Sequence, residues 1–114
     1  TNTTLPAVNI LETNDGYVVE MAAPGMNKKD FHIELKDNYL TIRSEHQNNY
    51  ADKEDNRWLR REFSYQSFQR SFKLNNNVVD DAKIQAKYEN GLLRLIIPKK
   101  EEAKPKPAKL ISVS

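Results

Sequence analysis

Histidine is the residue type here most suited to holding a metal ion or serving a catalytic triad, and the sequence has two, His32 and His46. Neither has a second histidine at H-x-H or H-x-x-x-H spacing, and no serine lies in a nucleophile-elbow motif. The glycines Gly16, Gly25 and Gly91 are too far apart for a phosphate-binding loop. The absence of cysteine excludes thiolate metal sites, thiol catalysis and disulfides. We therefore predict no enzyme activity, no metal and no cofactor. A hydrolase or metal enzyme stays as an alternative that His32→Ala and His46→Ala would test.

The charge distribution bears on nucleic-acid binding. The net charge is +2, from 18 basic and 16 acidic residues. Segment 98–109 has five lysines and two glutamates, so it carries +3 and leaves the rest of the chain near −1. The basic charge thus lies in the tail and not on a folded face, which argues against a nucleic-acid partner. Stretch 57–72 mixes arginines with aromatic residues and could stack single-stranded nucleic acid. We favour a strand with one core face and one arginine face that pairs with carboxylates.

The elements that would position these residues are strands. Apolar and polar residues alternate near residues 8–12, 17–21, 31–36, 40–44, 63–72, 83–88 and 92–97, with a bend expected near Ser67. Turn signals separate the runs: Asn14-Asp15-Gly16, Pro24-Gly25, Asp37-Asn38 and Asn90-Gly91. The 114 residues suit one domain. The sequence predicts an all-β fold, an immunoglobulin-like antiparallel β-sandwich of about seven to eight strands.

Two segments outside this pattern could make contacts. Residues 47–57 form a long polar loop, in which Tyr50-Ala51 could be a short strand exchanged with a partner subunit; a solvated loop is the alternative. Residues 99–109 form a Lys/Glu/Pro/Ala linker that we expect to be too polar to fold. Beyond it, Ile111 and Val113 have strand spacing and could enter neighbouring pockets of a groove. A disordered terminus with two incidental apolar residues is the alternative.

Location in the cell follows from what the sequence lacks. No apolar run is long enough to span a membrane, and no signal peptide is visible. A chain without cysteine is compatible with a reducing cytosol. We therefore expect a cytoplasmic protein without membrane insertion.

Several segments, taken in order, resemble one known family. They are "LPAVNILE", "MAAPGMNKKDFHIELKDNYLTIRSEH", "FSYQSFQRSFKL", "AKYENGLLRLIIPK" and "ISV". The fourth contains the pattern A-x-x-x-N-G-x-L at Ala86, Asn90, Gly91 and Leu93. Together, from Pro6 almost to the end of the chain, they resemble the α-crystallin domain of small heat-shock proteins, of the bacterial or plant-like type. The last resembles that family's C-terminal I-x-I/V anchor.

The resemblance implies an ATP-independent chaperone that holds partly unfolded client proteins without turnover. It implies a remnant of an N-terminal arm at 1–5, an α-crystallin domain at 6–98 and a flexible C-terminal extension at 99–114 with an anchor at 111–113. Because the family's arm contributes to client capture, so short an arm predicts reduced activity. The implied partners are the chain itself, as a dimer and higher homo-oligomer, and unfolded clients. A co-chaperone adaptor of the same sandwich type is the alternative.

The resemblance also implies which residues make these contacts. Ile111 and Val113 would dock between strands 31–36 and 83–88 of another subunit. The groove candidates on those strands are Ile33, Leu35, Ile84 and Ala86. The loop 47–57 would supply the exchanged strand of a dimer, centred on Tyr50 with Ala51. It would pair with residues 8–12 of the partner, where Val8 and Ile10 are the landing positions.

Overall fold

Two antiparallel sheets are seen in the computed structural model, which describes residues 4–45 and 55–114. The strands are β1 Ala7–Glu12, β2 Gly16–Ala22, β3 Phe31–Lys36, β4 Tyr39–Glu45, β5 Ser67–Lys73, β6 Gln85–Glu89 and β7 Leu92–Pro98. The four-stranded sheet has the order β1-β2-β7-β6, and the three-stranded sheet has the order β3-β4-β5. Short 3-10 turns lie at Lys28–Asp30, Asp81–Lys83 and Glu101–Ala103. The predicted all-β sandwich is confirmed.

The core lies between the sheets because alternate residues of the central strands are apolar, apart from the buried Ser44 of β4. Val19 and Met21 of β2 pair in register with Leu95 and Leu93 of β7, and all four side chains are buried. From the other sheet, Leu40 and Ile42 of β4 are also buried. Side chains of successive strand residues point to opposite faces, so this alternation fixes which face of each sheet is inward.

The hairpin turns follow the residues expected of them. Asp37 and Asn38, between β3 and β4, have φ of 52° and 69°. Asn90 and Gly91, between β6 and β7, have φ of 54° and 77°. Two successive positive φ values are typical of a type I′ turn, whose twist matches the flanking strands.

The aromatic-basic stretch differs in part from its predicted form. The strand begins at Ser67, where the bend was predicted, and residues 63–66 lie outside it. Phe68, Arg70 and Phe72 pair with buried residues of β4. Arg70 does not face outward to a carboxylate, because its guanidinium donates a 2.8 Å hydrogen bond to the carbonyl of Pro6 and lies over the Phe72 ring.

The beginning of the C-terminal segment also differs from expectation. Residues 99–109 were predicted to be too polar to fold. In the structure, the N–H of Lys99 donates to the Asp15 carbonyl at 2.8 Å, and the N–H of Lys100 donates to the Val78 carbonyl at 2.7 Å. A 3-10 turn at Glu101–Ala103 follows. Backbone hydrogen bonds, which composition does not reveal, therefore hold this segment to the sandwich.

Candidate functional site

The histidines and carboxylates of the described residues do not gather into a metal-binding cluster. In residues 4–45 and 55–114, no group of three or more His, Cys, Asp or Glu side chains is placed to hold a metal ion. His32 is exposed and pairs in register with Arg43 on the outer face of the three-stranded sheet. His46 lies outside the described residues. Within the same part of the chain, no helix is long and apolar enough to cross a membrane.

The main candidate site is a groove between two sheet edges. Strand β3 is an edge of the three-stranded sheet, and β6 is an edge of the four-stranded sheet. The two edges meet where the ring of Phe31, which begins β3, lies 5.0 Å from the ring of Tyr88, near the end of β6. Strands at the edge of a sheet present unpaired backbone groups, so this groove has hydrogen-bonding capacity as well as side chains.

The side chains that line this groove are apolar and incompletely covered. Ile33 pairs in register with fully buried Ile42, and Ala86 pairs with fully buried Leu95, so both face inward. Yet Ile33 is 36% exposed and Ala86 is exposed. Inward-facing residues are exposed in this way because the sandwich is open along the groove between β3 and β6.

Leu35 and Ile84, the other two groove candidates, are half-buried and pack against the core. They lie on or next to the same two edges as Ile33 and Ala86. The structure therefore places the four candidates on the facing edges of two sheets. An extended segment with apolar side chains could lie between them while its backbone bonds to an edge strand.

A second open edge is formed by β1, the other edge of the four-stranded sheet. Val8 and Ile10 pair with the buried residues Met21 and Val19, so both face inward. Val8 packs against the core, but Ile10 is 44% exposed. Tyr50 and Ala51, the predicted partners of this edge, lie outside the described residues.

The segment from Trp58 to Gln66 carries exposed apolar side chains that were predicted to belong to a strand. Trp58, Leu59 and Phe63 are all exposed. A cavity of about 300 Å³ lies between this segment and the turn at Pro24–Met26. The sequence did not reveal that this segment lies on the surface, because the alternation near Trp58 also fits a strand with one buried face.

The predicted anchor at the C-terminus is uncovered. Ile111 is 82% exposed and Val113 is 95% exposed. No described part of the same chain covers these two side chains. Residues from Pro105 to Ser114 have no helix or strand.

Lys99 attaches the root of this tail to the β1–β2 hairpin. Its ammonium group is 2.9 Å from the Glu12 carboxylate and donates to the Thr13 carbonyl at 3.1 Å. It also lies 5.5 Å from the centre of the Tyr17 ring. The hydrogen bond and the charge of Lys99 hold the pKa of Glu12 below its ordinary value. Burial, followed by the charge of Glu12, raises the pKa of Tyr17.

The family-signature positions serve structural roles. Asn90 and Gly91 form the β6–β7 turn, and Leu93 is buried in the core. A Cβ atom on Gly91 would meet Pro24 at 3.2 Å. Glycine therefore permits the hairpin to pack closely on the Pro24-Gly25 turn.

Known proteins resemble this chain in both sequence and fold. Residues 9–114 match the Hsp20/alpha crystallin family. Small heat shock protein C2 of Rickettsia felis is 42% identical over 100 residues, which are 88% of this chain and 64% of that protein. The chain thus spans less than two thirds of that relative's length.

Solved structures of the same kind share the fold. Heat shock protein 16.0 of Schizosaccharomyces pombe superimposes with a TM-score of 0.78 at 27% identity, covering 97% of this chain and 99% of that one. A small heat-shock protein from Xylella fastidiosa, described as having a distinct high order structure, gives 0.74 at 26% identity with 98% of both chains covered.

Proposed function

Because the chain belongs to the Hsp20/alpha-crystallin family of small heat-shock proteins, we propose that it is an ATP-independent holdase chaperone. It binds partly unfolded clients and keeps them from aggregating, and it assembles through its own sheet edges and tail. The observation that carries this proposal is the pair of open edges, β1 and the β3–β6 groove, where inward-facing apolar side chains remain exposed. Unfolding proteins expose apolar surface and unpaired strands, which such edges can cover.

In the proposed assembly, the tail of one subunit docks in the groove of another. Ile111 and Val113 have the two-residue spacing at which a strand places side chains on one face. Ile33 and Ala86 offer an uncovered apolar lining on the two edges of the groove. Burying two branched side chains contributes about 3–5 kcal/mol gross, from which the ordering of the tail subtracts. A single docked tail is therefore weakly held, and many tails together give avidity.

The tail's reach limits which grooves it can occupy. Its root is attached to the sandwich at Lys99 and Lys100, and the 3-10 turn that follows ends at Lys104, whose N–H donates to the Glu101 carbonyl and whose ammonium group is 2.8 Å from the Glu101 carboxylate. Between Lys104 and Ile111 the chain contains Pro105 and Pro107, which favour an extended conformation. At about 3.1 Å per residue, the anchor reaches grooves about 22 Å from Lys104.

A dimer is proposed at the β1 edge. The loop 47–57 of one subunit, centred on Tyr50, pairs with Val8 and Ile10 of the other. Exposed Ile10, together with exposed Trp58 directly after the loop, supports a partner chain over this region. An inward-facing apolar side chain left exposed at a sheet edge is suited to protein–protein contact.

The proposal explains how assembly and client binding are linked. While tails occupy the grooves, the apolar lining is covered and the oligomer stays soluble. When tails dissociate, the grooves and dimer edges are uncovered for clients, and no nucleotide is needed because the exchange is between weak contacts. The charged tail, with Lys104, Lys106 and Lys109, keeps the loaded complex solvated.

Aggregation of a heat-labile test protein, followed by light scattering with and without ATP, tests this function. The chain should suppress scattering, and ATP should change nothing. The contribution of the tail is tested in the same assay with Ile111→Ser/Val113→Ser. Its matched control is Leu110→Ser, because Leu110 is also exposed but points to the opposite side of an extended tail. No suppression by the parent chain at any ratio would contradict the holdase proposal.

A further inference from the structure

The width of the β3–β6 groove is not fixed by a strand ladder. Its two edges belong to different sheets, and hydrogen-bonded pairing runs only within each sheet. The chain crosses from β2 in one sheet to β3 in the other through residues 23–30. A contact that attaches β6 to this crossing therefore acts with the core packed between the sheets to set how far apart the two edges stand.

Tyr88 makes the side-chain part of that attachment, beside the 2.9 Å hydrogen bond that the Ala23 N–H donates to the Gly91 carbonyl. Its hydroxyl donates a 2.6 Å hydrogen bond to the Ala23 carbonyl and accepts a 3.2 Å hydrogen bond from the Met26 N–H. Its ring packs on Phe31 at 5.0 Å with a 49° angle between the ring planes. Tyr88 thus binds the last inward position of β6 both to the crossing segment and to the first residue of β3.

The aromatic pair also closes one end of the groove. Phe31 and Tyr88 are in contact, whereas the next inward residues of the two strands, Ile33 and Ala86, are exposed. Ala86 is the smallest side chain along the groove, so space is available beside it but not beyond Tyr88. An aromatic side chain entering at this level would have to separate Phe31 from Tyr88, and overfilling of a packed site is destabilising.

We propose that Tyr88 sets the width and the closed end of the β3–β6 groove, and so restricts its occupant to an extended segment with branched aliphatic side chains two residues apart. This inference rests on the proposed docking of the tail. It makes Tyr88 a specificity-determining residue that favours the chain's own Ile111 and Val113 over aromatic client segments.

Peptide binding to the full chain tests this proposal. The protein carries Ile111→Ser and Val113→Ser so that its own tail does not compete. The probes are a fluorescein-labelled peptide of residues 106–114 and the same peptide with Ile111→Phe and Val113→Phe, followed by fluorescence anisotropy. The unsubstituted peptide should bind at least about 10-fold more tightly than the aromatic one.

Variants of the tyrosine then separate its role from that of the groove. Tyr88→Phe, which loses only the hydroxyl, should reduce the discrimination to about 3-fold or less, and Tyr88→Ala should reduce it further. Tyr39→Phe, which removes a hydroxyl from an exposed tyrosine on β4, should leave it unchanged. Two outcomes overturn the role of Tyr88 and leave tail docking standing. In one, both Tyr88 variants still discriminate between the two peptides; in the other, the chain with Tyr88 binds the two peptides equally. A 106–114 peptide that binds no variant overturns both proposals.

A distance measurement gives an independent readout of groove width. The chain has no cysteine, so Glu34→Cys on β3 and Lys87→Cys on β6 introduce two unique spin-label sites at exposed positions. Pulsed dipolar spectroscopy should give a broader distance distribution in Tyr88→Phe than in Tyr39→Phe. Identical distributions in the two variants would overturn the claim that Tyr88 fixes the spacing of the edges.

Discussion

The Lys99 ammonium group lies 2.9 Å from the Glu12 carboxylate, which joins the first residue after β7 to the last residue of β1. The lysine side chain is only 13% exposed, whereas Glu12 is mostly exposed. This contact attaches the C-terminal extension to the strand whose edge is the proposed dimer landing site. The two proposed assembly sites, the tail and the β1 edge, therefore share one ion pair at the β1–β2 hairpin.

Lys99→Met should release the root of the extension while leaving the sandwich folded. The substitution keeps an apolar stem over Tyr17 but loses the ion pair with Glu12 and the hydrogen bond to the Thr13 carbonyl. The lost hydrogen bond alone costs about 1 kcal/mol in unfolding free energy. Hydrogen exchange should become faster at residues 99–104. Lys106→Met, which removes the same charge from an exposed position, should leave exchange unchanged. If residues 99–104 are equally protected from hydrogen exchange in the two variants, the backbone hydrogen bonds are sufficient to hold this segment without the Lys99 side chain.

The Glu12–Lys99 contact should weaken in acid. The pKa of Glu12 in the folded chain lies below its ordinary value of 4.5 because Lys99 binds the ionised carboxylate. A carboxyl with a lowered folded pKa stabilises the fold fully above its ordinary pKa, and the contribution is lost as pH falls through the folded value. Protection of residues 99–104 should thus be constant above about pH 5 and fall below it. In Glu12→Gln this part of the pH dependence should disappear.

The strands and turns were predictable because their determinants are local. Alternation placed Val19, Met21 and Ile42 on inward faces. Asn90-Gly91 predicted its turn because both residue types accept the positive φ that the turn requires. The ordered root at Lys99 was not predictable, since it depends on carbonyls of Asp15 and Val78 that are distant in sequence. Local composition reports how polar a segment is, but it does not report which unpaired backbone groups it meets.

The groove could be predicted in outline only. The four candidates on its strands were identified from a family resemblance, and the structure shows how they lie on facing edges. The attachment by the Tyr88 hydroxyl was missed because its partners, Ala23 and Met26, offer only backbone atoms. Alternation in the sequence identifies Tyr88 as an inward residue and contains no information about its hydroxyl.

Two glycines with similar backbone conformations should respond differently to alanine. Gly25 has φ +80° with nothing within 4 Å of an added Cβ, whereas Gly91 has φ +77° with Pro24 at 3.2 Å. Each substitution should cost about 1–2 kcal/mol of unfolding free energy from the positive φ. Gly91→Ala should cost more, because it also pushes the β6–β7 hairpin away from Pro24. Denaturant unfolding of both variants measures the difference, and equal costs would show that the hairpin moves freely against the turn.

Filling the groove should prevent tail docking without unfolding the sandwich. Ala86→Trp places a large side chain between the two edges, at a position that is exposed in the parent chain. Its solution mass should match that of Ile111→Ser/Val113→Ser, and both should fall to the dimer if the parent is larger. Lys87→Trp is the matched control, because Lys87 is the next residue of the same strand and points to the outer face. It should keep the parent mass. Solution mass is measured by light scattering across a concentration series. If Ala86→Trp keeps the parent mass while Ile111→Ser/Val113→Ser falls to a lower mass, tail docking in this groove is contradicted.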